Sequence, residues 1–248
     1  MNNRQQADRQ KSCLAGNSAS FDLTTVKELT KSPLRGMNIA FLGSSVTEGH
    51  SAEGISFVEF ICRHNGCAYM KEAVSGTTLT DMGPDSYIQR MLYSLKAEDN
   101  YDLFICQLST NDATKGCPLG KIENSFDLNH FDTSTVIGAA EYIICYAKKT
   151  WKCPIVFYSN PRFECGKYQE MVDAIYKLQE KWGIGFIDLW NTLDVNIADY
   201  DLFMADAIHP TKAGYLKWWL PVMEQSLYQV VTSKIITTGG HASGKENW

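Results

Sequence analysis

No apolar run in this 248-residue chain approaches the ~18 residues that would suggest a membrane-spanning helix. Basic residues are not in excess either. The chain has 23 Lys and Arg against 28 Asp and Glu, for a net charge of −5. It therefore lacks the positive footprint that a nucleic-acid partner demands. Cysteines at metal-site spacing are also missing: eight are scattered along the chain, and Cys62-x4-Cys67 has no second pair. The five histidines form no ligand cluster of recognisable spacing, so no metal is expected. Repeats and low-complexity tracts are absent, and Met1–Ser20 has no apolar centre of the kind that marks a secretory signal. A cytoplasmic protein is the expectation from these absences.

What is present fits one α/β domain: 44% of residues are hydrophobic and 21% charged, enough for a substantial core. Residues 1–20 and 237–248 are polar and read as mobile tails around a single domain over 21–236. Short apolar runs over Met37–Leu42, Ala68–Val74, Leu103–Leu108, Ile155–Ser159 and Gly185–Leu189 read as strands. Amphipathic stretches over Ile55–His64, Asp85–Ala97, Ser134–Lys149, Lys167–Lys181 and Lys212–Tyr228 read as helices. This alternation implies a parallel sheet covered on both faces. Cys62, Cys106 and Cys145 lie in the apolar stretches and read as small core hydrophobes, whereas Cys117 and Cys165 fall in loops where exposure is expected. Free thiols of this kind suit a reducing compartment. His64 and His130 read as surface residues and His241 as tail. One ring of Trp218-Trp219 is expected in the core, the other on a partner surface or partly exposed.

Two segments carry candidate chemistry. Ser45 follows the first strand on a tight turn, and Asp206-Ala207-Ile208-His209-Pro210 precedes the last helix. A serine hydroxyl becomes a competent nucleophile once a base takes its proton, and a histidine oriented by a carboxylate is the usual base. Pro210 biases His209 away from helical geometry, so the ring can project from extended chain. Singly, each residue has an ordinary account, since serine favours turns and aspartate favours solvated loops. Ser44 is the neighbouring alternative nucleophile, and only the spacing to Thr47 and Gly49 favours Ser45.

Gly43-Ser44-Ser45-Val46-Thr47-Glu48-Gly49 looks like the nucleophile block of the SGNH/GDSL hydrolases, and Ser75-Gly76-Thr77 resembles that family's second block. Ser109-Thr110-Asn111-Asp112 is similar to the third block, and Asp206-x-x-His209 matches the fifth. The resemblance implies a three-layer, flavodoxin-like fold with a five-stranded parallel sheet of order 2-1-3-4-5. It implies Ser45, His209 and Asp206 as the catalytic residues, with an oxyanion hole from the Ser45 and Gly76 N–H groups and the Asn111 side chain. No cofactor is required by this scheme. Two positions depart from the family pattern: Ser44 stands where Asp is usual, and Ser109 where Gly is usual. These put the bracing of the nucleophile turn and the shape of the pocket floor in question.

The expected reaction is hydrolysis of a short acyl ester, acetyl in particular, on a small hydroxylated or carbohydrate carrier. A lipase-, lysophospholipase- or thioesterase-type acylhydrolase is the alternative. A non-catalytic carbohydrate-binding module on the same fold is a second alternative. Glu48, His50 and Arg162 are candidate substrate contacts, each with a solvated turn or surface ion pair as its competing account. The long connection Ala113–Phe131 suggests either a lid or a disordered insertion.

Overall fold

The computed structural model describes residues 14–239, with side chains through residue 233. The chain runs through β1 (Asn38–Gly43), α1 (Ser45–Glu48), α2 (Phe57–Asn65), β2 (Ala68–Ala73), α3 (Tyr87–Ser94) and β3 (Leu103–Gln107). It continues through α4 (Thr110–Thr114), α5 (Val136–Thr150), β4 (Ile155–Tyr158), α6 (Gly166–Trp182) and β5 (Gly185–Ile187). Two short turns, α7 (Leu189–Thr192) and α8 (Tyr200–Phe203), precede a π-helical segment, Gly214–Trp219, which feeds α9 (Leu220–Gly239). The five strands are parallel in the order β2-β1-β3-β4-β5, as the family resemblance implied.

Period-two alternation divides the core between the two faces of this sheet. Ala40, Leu42, Phe104, Cys106 and Phe157 pack on one side with residues of α3, α5 and α6. Ile39, Phe41, Leu103, Ile105, Val156 and Tyr158 pack on the other with residues of α2 and α9. Helix starts follow side-chain chemistry. Ser56 and Glu59 form a reciprocal capping box on α2, with the Ser56 N–H donating to Glu59 Oε2 at 2.7 Å. Thr135 accepts the Gly138 N–H at 3.2 Å to open α5.

Several expectations are corrected. The segment from Leu14 to Ser20 is a pair of packed 3₁₀ turns with Asn17 buried, so the tail expected over 1–20 does not extend through these residues. Its hydrogen bonds to Ser51 and Lys212 explain the ordering. Residues 1–13 lie outside the described residues. At the other end α9 continues to Gly239, past the expected boundary at 236, and residues 240–248, His241 among them, lie outside the description. Both Trp218 and Trp219 are buried, because Phe203 stacks on Trp218 at 6.1 Å while Trp219 fills the core. Cys117 is buried beneath Thr80, not exposed. His64 is half-buried against Glu224, its Nδ1 2.7 Å from the carboxylate. The connection after α4 is anchored to α5: Pro118 and Leu119 carbonyls accept the Val136 and Ile137 N–H groups, each at 2.9 Å. A disordered insertion is therefore excluded there.

Candidate active site

Each motif residue sits just beyond the carboxyl end of a strand or on the loops beside those ends, where open α/β sheets place ligands. Ser45 is the first residue of α1, directly after β1. The turn is tight because Gly43 lacks a side chain, and a Cβ there would lie 1.8 Å from Thr47 Oγ1. Gln107, at the end of β3, braces it by accepting the Ser44 N–H and the Thr47 hydroxyl, both at 2.9 Å. Tyr215, on the π-helical segment, donates to the Val46 carbonyl at 2.6 Å. The bracing left in question by Ser44 is thus supplied by Gln107. Ser109 caps α4 by accepting the Asp112 N–H at 3.3 Å.

Ser45 Oγ lies 2.8 Å from His209 Nε2, and His209 Nδ1 lies 2.8 Å and 3.0 Å from the two oxygens of Asp206. The carboxylate places the neutral ring's proton on Nδ1 and leaves Nε2 as the acceptor facing the serine. Asp206 also accepts the Ile208 and His209 N–H groups at 2.8 Å, so three residues of chain curl back on one carboxylate. A small antiparallel bridge, Met204 to Pro210, closes the base of this loop. Burial pushes the Asp206 carboxyl up, but the hydrogen bonds from His209 and Ile208 and the charge of His209 outweigh it, holding the group at about 2. Asp206 is thus ionised throughout the neutral range.

Gly76 adopts φ +80°, a conformation that disfavours a side chain, and among the described residues its N–H meets no acceptor. Its carbonyl is held by Lys115 Nζ at 2.7 Å, and the next carbonyl, of Thr77, accepts from Asn111 Nδ2 at 2.9 Å. The Asn111 amide keeps a second N–H. Asp112, fully buried, pins the following residues by accepting the Leu79 and Thr80 N–H groups at 2.7 and 3.0 Å. A cleft of about 380 Å³ begins at this turn, lined by Val74, Ser75, Gly76, Thr77, Met82 and Lys115 among others. A larger hollow of about 520 Å³ lies at the amino ends of β4 and β5, remote from all these residues.

Of the candidate substrate contacts, Glu48 and His50 meet beside the serine–histidine pair. Ser75 Oγ donates to Glu48 and lies 3.1 Å from His50 Nδ1, and the His50 ring centre is 5.6 Å from that of His209. Arg162 is not brought into contact with this group. Its guanidinium donates to the Trp190 carbonyl at 3.1 Å and Asn191 Oδ1 at 2.9 Å.

Sequence reasoning passed over Gln107, Arg90 and Asn160. Arg90, nearly buried on α3, donates to the Gly43 carbonyl at 2.7 Å, the Glu72 carbonyl at 2.9 Å and Thr77 Oγ1 at 3.0 Å. It thereby ties the ends of β1 and β2 to the Gly76 turn. Asn160 reaches the Ile208 carbonyl at 2.9 Å and steadies the His209 loop. Gln107 had a legible signal, a polar residue closing an apolar strand, and Asn160 stands past β4 as Asn111 stands past β3. Nothing in the sequence around Arg90 distinguishes it.

With this geometry in view, comparison with known proteins is decisive at the level of family. A profile of the GDSL-like lipase/acylhydrolase family matches residues 41–217. The chain belongs to this family. Among curated proteins no sequence matches it. Solved structures agree in fold. A protein from Lactobacillus plantarum superposes with a TM-score of 0.62 at 18% identity, covering 80% of this chain and 98% of that one. The lipase/acylhydrolase from Enterococcus faecalis gives 0.52 at 16% identity, covering 80% and 96%. A family two carbohydrate esterase from Clostridium thermocellum, solved in complex with cellohexaose, gives 0.55 at 15% identity, covering 86% and 67%. As a GDSL-family member the chain is a hydrolase of the acylhydrolase/esterase type. No helix among its described residues is long and apolar enough to cross a membrane.

Proposed function

We propose that the protein is a serine esterase that removes a short acyl group, acetyl in particular, from a small hydroxylated or carbohydrate carrier. The observation that carries this reading is the unbroken hydrogen-bonded chain from Ser45 through His209 to Asp206 at the carboxyl edge of the sheet. Ser45 Oγ attacks the acyl carbon while His209 Nε2 takes its proton. The tetrahedral oxyanion meets the Ser45 and Gly76 N–H groups and the free Asn111 N–H. Each such donor is worth ~2.7–4 kcal/mol of transition-state stabilisation. His209 then returns the proton to the departing alkoxide, leaving an acyl-serine. Water attacks that ester with His209 again as base, releasing the acid and restoring Ser45.

Asp206 holds the ring in the tautomer these steps require. The same chain argues against a non-catalytic carbohydrate module, which has no use for an oriented base. Glu48, His50 and Ser75 give the site a polar rim suited to hydroxyl groups. An alkyl chain there would strip water from these polar groups without offering them a partner. Arg162 enters only through the N–H groups that Trp190 and Asn191 leave free. The likeness to a carbohydrate esterase fold is in keeping with a sugar carrier. A second reading, a lipase-type acylhydrolase, draws on Val74 and Met82, which are 40% and 65% exposed along the same cleft.

Hydrolysis of nitrophenyl esters of increasing chain length, alongside acetylated sugars, separates the two. The proposal expects kcat/KM for acetyl to exceed that for decanoyl and longer chains. A steady rise with acyl length would replace it with the lipase-type reading.

A further inference from the structure

Ser45 and His209 lie on separate segments, and among the described residues no backbone–backbone hydrogen bond joins residues 45–55 to residues 203–213. Their separation is therefore set by side chains. Besides the Tyr215 hydroxyl on the Val46 carbonyl, two bridges span the gap, and both involve the segment that precedes the first strand. Asn17, 5% exposed, donates from Nδ2 to the Ser51 carbonyl at 2.7 Å and accepts the Lys212 N–H on Oδ1 at 2.9 Å. One carboxamide thus holds the loop that follows the serine and the loop that follows the histidine. Lys212, 3% exposed, places its ammonium 2.6 Å from Asp22 and 2.5 Å from Glu53, bridging the same two loops through its side chain. Burial pulls the Lys212 ammonium down, but the bonds to Asp22 and Glu53 outweigh it and hold its pKa above the ordinary lysine value.

We infer that Asn17 and Lys212 are positioning residues that set the Ser45–His209 geometry, with the segment over residues 14–22 acting as a strap across the two loops. This rests on the reading of Ser45 as nucleophile and His209 as base. Both side chains are nearly inaccessible and neither is offered to a substrate, so their effect passes through the alignment of the serine and the imidazole. Rate is steeply sensitive to such alignment, and a displacement near 1 Å can cost about 100-fold.

The test uses the full chain with Asn17→Ala, Asn17→Asp, Lys212→Met and Lys212→Arg variants. Steady-state hydrolysis of nitrophenyl acetate and the rate of labelling by a fluorophosphonate are measured below each variant's melting temperature. Asn17→Ala and Lys212→Met should lower kcat by about 10- to 100-fold and slow labelling in proportion, with KM changed by less than about two-fold. Lys212→Arg, which can still span Asp22 and Glu53, should recover most of the rate. Asn17→Asp keeps the acceptor for the Lys212 N–H and loses the donor to Ser51, so an intermediate loss is expected. It also covers the case in which Asn17→Ala does not fold. Folded variants that melt earlier yet keep wild-type kcat and labelling rate would overturn the inference and leave the bridges structural only. A Ser45→Ala control separates the failures. If that variant still turns over, the reading of the site falls. If it is dead while both bridge variants are fully active, only the strap falls.

Discussion

At the scale of single residues, the site rests on a short polar chain whose order of partners decides its chemistry. Asp206→Asn offers the imidazole an amide in place of a carboxylate, so the ring loses its fixed tautomer. The expected outcome is a large fall in kcat with KM little changed, read from steady-state kinetics on a nitrophenyl ester. Because Asp206 is held down at about 2, it remains charged as pH falls below neutrality and goes on orienting the imidazole there. The sign for stability follows. A depressed carboxyl contributes stability above its unfolded pKa, ~3.9, and the contribution disappears as pH falls through that value towards about 2. Its side chain is 55% exposed, so solvent screening keeps the contribution small. Unfolding of wild type and Asp206→Asn should therefore converge near pH 2. That Ser45, His209 and Asp206 meet was legible because these residue types carry their own chemical signature and spacing. The partners of Gly76, Lys115 among them, were not, since one lysine reaching back 39 positions leaves no local pattern.

At the scale of elements, the five strands were read within a few residues because their apolar runs are short and bounded. The small excess at the expected ends has a physical basis. Val74, Leu108 and Ser159 still donate ladder-like bonds to Gly43, Tyr158 and Ile187 at 3.4, 2.8 and 3.1 Å before the chain turns away. The start of the last helix was misjudged in character, since the Gly214–Trp219 segment is π-helical, a winding that hydrophobic periodicity does not reveal. Arg90 was invisible for a related reason: its role comes from three carbonyls and a hydroxyl that only tertiary structure assembles around it. Arg90→Met leaves those acceptors without their donor in a nearly closed site. We expect a loss of about 2–3 kcal/mol in denaturant unfolding, from hydrogen bonds to a charged group. Activity should fall beyond the fraction unfolded, because the Gly43 and Thr77 ends move apart. Gln107→Leu should cost about 1–3 kcal/mol, from the buried Ser44 N–H left unpaired, while the Thr47 hydroxyl keeps Tyr158.

At the scale of the whole molecule, two apolar layers clamp one parallel sheet, and the chemistry gathers at the single edge where every strand ends. That arrangement followed from strand–helix alternation, whereas the strand order came through family resemblance and not from residue patterning. The strap over residues 14–22 escaped sequence reading because polar composition alone does not distinguish a free tail from a packed one. Its ordering depends on Asn17 finding Ser51 and Lys212 across 34 and 195 positions. In the proposed scheme the proton passes between Ser45 and His209 while Asp206 orients the ring, and no step calls for a metal. Turnover should survive dialysis against a chelator, and loss restored by one divalent ion would count against the serine route. The central claim is that Ser45 is the atom acylated, and intact-protein mass measurement after fluorophosphonate treatment tests it most directly. The account predicts one adduct per wild-type chain, mapped to Ser45, retained in Ser44→Ala and absent in a folded Ser45→Ala that no longer turns over ester. An adduct and full turnover in Ser45→Ala would contradict it.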